Sequence, residues 1–131
     1  MVIQKIPELK YEYNSLEPYI DEKTMRLHHD KHHFSYLNKL KEILQSYPEL
    51  KNRPISEIIK YPEEVPEEIR KKVMQNAGQV INHNLFFDIL KKDENISTNF
   101  EKIITDQFRS LKDFKEEFAK AATNLFGSGW V

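Results

Sequence analysis

Cysteine is absent from the 131 residues. Disulfides, thiolate metal sites and cysteine nucleophiles are therefore excluded, and a reducing cytoplasm is the default compartment. Glycine is scarce, at three residues, and no glycine-rich loop of the kind that cradles a phosphate occurs. An excess of one charge is lacking too. Twenty Lys and Arg against twenty-one Asp and Glu leave a net charge of −1, so bulk electrostatics offers nothing to nucleic acid. No apolar run approaches membrane-spanning length. The opening MVIQKIPELKYEY has neither the basic start nor the apolar stretch of a signal peptide. Three catalytic patterns are missing as well: the nucleophile elbow, H-E-x-x-H and Glu-x-x-His. Their absence removes serine hydrolases, zinc proteases and di-iron carboxylate bundles.

What is present suits one small domain or one and a half. Fifteen aromatics and a 39% share of hydrophobic residues give bulk for a real core. Residues 1–20 read as an irregular lead-in punctuated by Pro7 and Pro18, with Tyr11, Tyr13 and Tyr19 for contacts. Residues 21–44 run without Pro or Gly, and Met25, His28, His32 and Tyr36 recur at helical spacing. A long helix is predicted there. Pro48, Pro54, Pro62 and Pro66 mark a connector, within which PISEIIKYP can form a short helix. Pro66 followed by Glu67 and Glu68 is a good helix opening, so a second long helix runs from Glu67 to Leu90. Gly78 inside it costs about 1 kcal/mol against Ala and suggests close packing at that point. KKDENIS, residues 91–97, breaks the pattern and divides the chain into domains 1–92 and 93–131. STNFEKIITDQF is a third helix, capped by Ser97 or Thr98 with Glu101 as in a capping box. Ser110 caps a fourth that ends at Gly127, and SGWV reads as the start of a strand.

Four of the five histidines fall between positions 28 and 33. His28, His32 and Tyr36 share a helix face, with His29 and His33 further round. Gln79, His83 and Phe87 repeat the spacing on the second long helix. Two long helices with a short connector pack antiparallel, which lets a histidine from each meet. Imidazole is the commonest metal ligand, but two do not complete a redox site. Each feature has a plain alternative. A His-rich window is often a solvated face, and that reading, or bonding to nearby groups, is given to His29 and His33. A lone His83 is often a satisfied core histidine.

TMRLHHDKHHFSYLNKL resembles the first metal-ligand helix of iron/manganese superoxide dismutases, and NAGQVINHNLFFDIL resembles that family's second helix. PELKYEYNSLEPYID is similar to its opening segment, and LFGSGWV to its turn into the first strand of the second domain. The likeness implies a mainly α fold. An N-terminal antiparallel long-helix hairpin would be followed by the helical start of a truncated α/β (α+β) C-terminal domain. It also implies superoxide dismutation, giving dioxygen and hydrogen peroxide, at a mononuclear iron site or alternatively a manganese site. By resemblance His28 and His83 are metal ligands, His32 and Tyr36 a gateway pair, Gln79 an outer-sphere partner of bound solvent, and Trp130 a wall of the site. Glutamine on the second helix points to iron. Phe87 stands where the family generally has tryptophan, and Lys10 where it commonly has proline.

The family's Asp-x-x-x-His ligand segment has no counterpart, since no histidine follows His83. The chain thus carries two of four ligands, and a truncated protein is expected. The family's usual homodimer is expected to be lost or altered. With the opening motif so near Met1, no targeting extension is expected and the location is cytoplasmic. The alternative reading is a non-catalytic helical module that binds metal or a partner.

Overall fold

A computed structural model of the chain describes residues 5–92 and 95–131. The chain divides into two compact units, Met1–Lys92 and Asp93–Val131. Among the described residues every regular element is helical, and no helix is long and apolar enough to cross a membrane.

The first unit is built on two long helical rods. The first comprises α1 (Glu22–Arg26), a π-helical segment (Leu27–His33) and α2 (Phe34–Leu44), joined through residues in right-handed helical conformation. Asp21 starts it. Its carboxylate accepts from Thr24 N at 2.8 Å and Thr24 Oγ1 at 2.9 Å, satisfying an amide that the first turn leaves without a partner. The second rod is α5 (Glu67–Ile89), opened by Pro66 with two glutamates in its first turn. Between them lie α3 (Pro48–Lys51), α4 (Ile55–Lys60) and a 3-10 turn (Pro62–Glu64). A proline stands at or just before the start of each, because its fixed φ and missing N–H cost a helix nothing there.

Burial follows one stripe on each rod. Met25, His29, His33, Leu37, Leu40 and Leu44 are buried on the first. Val73, Ala77, Val80, His83 and Phe87 are buried on α5. Steps of three and four residues are the spacing of a single helix face. The packing clusters fix the direction. Leu40 and Leu44 cluster with Val73 and Ala77, Leu37 with Val80, and Met25 with Phe87. Rising numbers on one rod meet falling numbers on the other, so the hairpin is antiparallel. Leu50, Ile58 and Val65 tuck the connector under its closed end. At the other end the lead-in crosses α5. Tyr11 Oη donates to the Phe87 carbonyl at 2.8 Å, Lys10 pairs with Asp88, and Leu16 packs on Met25 and Phe87.

Gly78 departs from the sequence reading. A Cβ built there would meet nothing within 4 Å, so its presence reflects no close packing among the described residues.

The second unit is a pair of helices, α6 (Thr98–Phe108) and α7 (Leu111–Asn124). Ser97, not Thr98, caps α6 by accepting from Phe100 N at 3.3 Å. The third helical position is therefore Phe100, and Glu101 lies one residue beyond the place a capping box requires. Ser110 caps α7, accepting from Asp113 N at 3.0 Å and donating to its carboxylate at 2.7 Å. Arg109 makes the sharp link between them at φ 65°. Phe108, Phe114 and Phe118 pack ring on ring, with centroids 5.1 and 6.0 Å apart. α7 ends at Asn124, ahead of the predicted stop at Gly127, and residues 128–131 form no strand. A strand needs a neighbour for its hydrogen bonds, and none is supplied among the described residues.

Candidate metal centre

All four clustered histidines lie in the π-helical segment. Its hydrogen bonds run from i to i+5, so each turn holds more residues and successive side chains diverge less than in an α-helix. That lets His28 with His32, and His29 with His33, both face α5. The centre of the cluster is His83, which is buried. The His28 ring lies 4.9 Å from the His83 ring, nearly perpendicular at 84°. His32 is 5.3 Å from His83, Tyr36 is 5.6 Å from it, and His32 and Tyr36 are 5.0 Å apart. His33 stacks on His83 at 5.1 Å and 20°. Phe86 and Phe87 close the other side, each about as far from His28, at 5.1 and 5.0 Å.

The helix itself sets the tautomer of His83. Nδ1 lies 2.7 Å from the backbone carbonyl of Gln79, one turn earlier. A carbonyl only accepts, so Nδ1 carries a proton, and in the neutral ring Nε2 keeps its lone pair. An imidazole held in this way by a backbone carbonyl is the usual support of a metal ligand. Burial, and then the neighbouring His83, His32 and His29, hold His28 below the ordinary imidazole range. Burial first, then His83 and His29, push His33 down to about 4. Both shifts favour the neutral ring, which is the form that coordination by His28 would require.

The expected positions divide as follows. His28, His32, Tyr36 and His83 come together in one cluster, with Gln79 half-buried one turn before His83 on α5. Trp130 lies in the second unit, half exposed, in the irregular run after α7. Among the described residues no group of three or more His, Asp or Glu is arranged to hold a metal ion. His28 and His83 are accordingly a two-donor pair, whose chemistry fits part of the ligand set of an iron or manganese ion.

Comparison with known proteins supplies the family. The family model for the alpha-hairpin domain of iron/manganese superoxide dismutases matches residues 4–91. The model for that family's C-terminal domain matches residues 96–131. The chain belongs to the iron/manganese superoxide dismutases. It is 43% identical over 129 residues to superoxide dismutase [Mn] 1 of Leptolyngbya boryana, which covers 97% of this chain and 52% of that relative. It is 43% identical over 127 residues to superoxide dismutase [Mn/Fe] 2 of Staphylococcus aureus strain Mu50, covering 97% of this chain and 63% of that one. The chain thus spans between about half and two thirds of the length of these curated relatives. Iron and manganese are the metals of the family and of these relatives' names.

In this hairpin, His29 and His33 are not a solvated face. They are 8% and 1% exposed. His29 Nδ1 sits 2.8 Å from the Asp30 carboxylate, which also accepts from Tyr13 Oη at 2.6 Å. The His33 ring has the Val80 carbonyl as its one neighbouring backbone acceptor among the described residues, and no side-chain partner. A signal for their burial was in the sequence. Met25, His29, His33 and Leu37 are four apolar or amphipathic residues in unbroken steps of four, and both ends are apolar.

Proposed function

We propose that the chain carries part of the catalytic centre of a superoxide dismutase, with His28 and His83 holding iron or manganese. The observation that supports this most is the pairing of the two rings at 4.9 Å while Nδ1 of His83 is tied to the Gln79 carbonyl. One free Nε2 in a buried, water-poor setting beside a second neutral imidazole is a donor pair, not a solvated helix face. The metal, when bound, supplies one-electron chemistry, so that one superoxide is oxidised to dioxygen and the next, with two protons, is reduced to hydrogen peroxide.

The protein's own residues have separable tasks in this reading. Phe86 and Phe87 exclude water beside His28. His83 is oriented by its own helix. His32 is exposed, and His32, Tyr36 and His83 are mutual neighbours, their ring centroids 5.0, 5.3 and 5.6 Å apart. The His32 imidazole and the Tyr36 hydroxyl are therefore the groups placed to pass protons inward from solvent. Gln79, next in line on α5, would hold a solvent molecule by its carboxamide, and its position on that helix supports iron over manganese.

The test reads metal and turnover separately. Iron(II) or manganese(II) retained after equilibrium dialysis should fall by about tenfold or more in His28→Ala and in His83→Ala, each confirmed helical by circular dichroism. Superoxide consumption per retained metal ion should fall in the same two variants. Retention equal to the parent in the double variant would overturn the ligand assignment. Undiminished turnover in it would overturn the proposed activity of this centre.

A further inference from the structure

A cavity of about 460 Å³ lies behind the histidine layer, between the lead-in and α5. Its walls are largely apolar, with Pro7, Leu9, Ile81, Leu85 and Phe87 among the lining residues. Three further lining residues, His29, His33 and Asn84, each carry a buried polar atom with no hydrogen-bond partner. These atoms include His29 Nε2 and Asn84 Oδ1, with no partner among the described residues, while the His33 N–H is directed toward the Val80 carbonyl. A concave, mostly apolar space with a few polar groups is the ordinary form of a small-molecule site, and its volume falls in the usual range.

The polar groups say what kind of molecule. His29 Nδ1 faces the Asp30 carboxylate, which accepts and cannot donate, so Nδ1 carries a proton and in the neutral ring Nε2 is an acceptor. Asn84 Oδ1 is an acceptor also. The site therefore lacks hydrogen-bond donors from its occupant. It offers no free cation to an anion either, because Lys10 at the lining is already paired with Asp88. Water alone suits it poorly: the polar groups would hold one or two molecules, while the apolar walls would border the rest.

We propose that this cavity binds a small uncharged organic molecule with an apolar body and a hydroxyl or N–H donor, of the size and chemistry of a phenol. The body lies against Leu9, Ile81 and Leu85, and the donor reaches Asn84 Oδ1.

Phenol is the probe, titrated into the full chain and read by the ring C–H resonances of His29 and His33. Anisole is the control. It is the more apolar molecule and has the same ring, but its methyl ether cannot donate. Phenol should give saturable shifts at both rings, and anisole should bind about fivefold more weakly, as should phenol to Asn84→Ala, each reflecting one lost neutral hydrogen bond. Ile81→Trp, which fills the space, should abolish the shifts. Absence of saturable shifts with phenol, anisole binding as well as phenol, or phenol binding unchanged in a folded Ile81→Trp protein would each overturn the proposal. The anisole comparison needs no variant to fold.

Discussion

Gly78 lies in the middle of α5, the helix that carries Gln79 and His83, and the space beside it makes Gly78→Ala an informative change. A glycine inside a helix is less favourable than alanine by about 1 kcal/mol, because the unfolded chain has more freedom to lose. Elsewhere a close neighbour would cancel that gain. At Gly78 no atom of the described residues, its own stretch of helix aside, stands within 4 Å of the new methyl group, so the full gain should appear. For a domain of this size it corresponds to a rise in Tm of roughly 4–8 °C. The assay is urea and thermal unfolding followed by far-ultraviolet circular dichroism, with the midpoint moving and the slope m unchanged. The neighbouring Ala77 is fully buried, and Ala77→Gly should lose about 1–2 kcal/mol, from helix propensity plus the buried methyl group. Metal retention should be unchanged in Gly78→Ala, since neither His28 nor His83 is touched. Loss of stability in Gly78→Ala would refute the reasoning. It would mean that another body, such as a second copy of the chain, lies against this face of α5 in solution.

Arg109 is exposed and holds φ 65° at the link between α6 and α7, a conformation that costs a side-chain-bearing residue about 1–2 kcal/mol, so Arg109→Gly should raise the stability of the second unit by about 1 kcal/mol in the same unfolding assay. Leu40 is fully buried in the largest core cluster, and Leu40→Ala should cost about 2–5 kcal/mol. The Asp21 carboxyl is held below its ordinary range by the Thr24 amide and hydroxyl. Because the folded value is the lower one, its contribution is fully present above the unfolded carboxyl range and is lost as pH falls through the folded value. Asp21→Ala should make the acid dependence of the urea midpoint shallower, with Asp30, whose carboxyl is also lowered, supplying part of what remains; a dependence as steep as the parent's would show that Asp21 contributes none of it.

The helical skeleton was legible because its signals are local. Pro66 with two following glutamates starts α5 where expected, and serines 97 and 110 cap the two later helices. Facing was less legible. The polar-looking stripe His28, His32, Tyr36 was visible, but His29 and His33 are the more deeply buried pair. Two physical causes stand behind that. Imidazole is amphipathic, so polarity does not tell a core position from a wet one. The π-helical segment also lets neighbouring positions turn the same way, which an assumed 3.6-residue repeat cannot anticipate. Gly78 shows a third limit. A glycine in a helix is consistent with close packing, yet only the neighbouring atoms decide, and here none are near. The Ser128–Val131 run had strand-like residues, but pairing is a non-local property.

The proposed ligand pair is unequal in how it is held, and this bears on how the centre would take up metal. His83 is set by its own helix. The Gln79 carbonyl that fixes its tautomer is part of the same turn, so it is present whenever α5 is folded. Among the described residues His28 has no such tether. Its position comes from the ring contacts with His32, His83, Phe86 and Phe87. Phe87 in turn is pinned through its backbone by the Tyr11 hydroxyl and packs with Leu16 and Met25. The lead-in is thus tied to the histidine cluster through packing, and loosening it should disturb His28 before His83. Tyr11→Phe removes the hydrogen bond while keeping the ring, at a stability cost of about 1 kcal/mol. The His28 ring resonances should then shift or broaden while those of His83 stay put. Equal disturbance of both would show that Tyr11 supports the end of α5 as a whole and not the placement of His28.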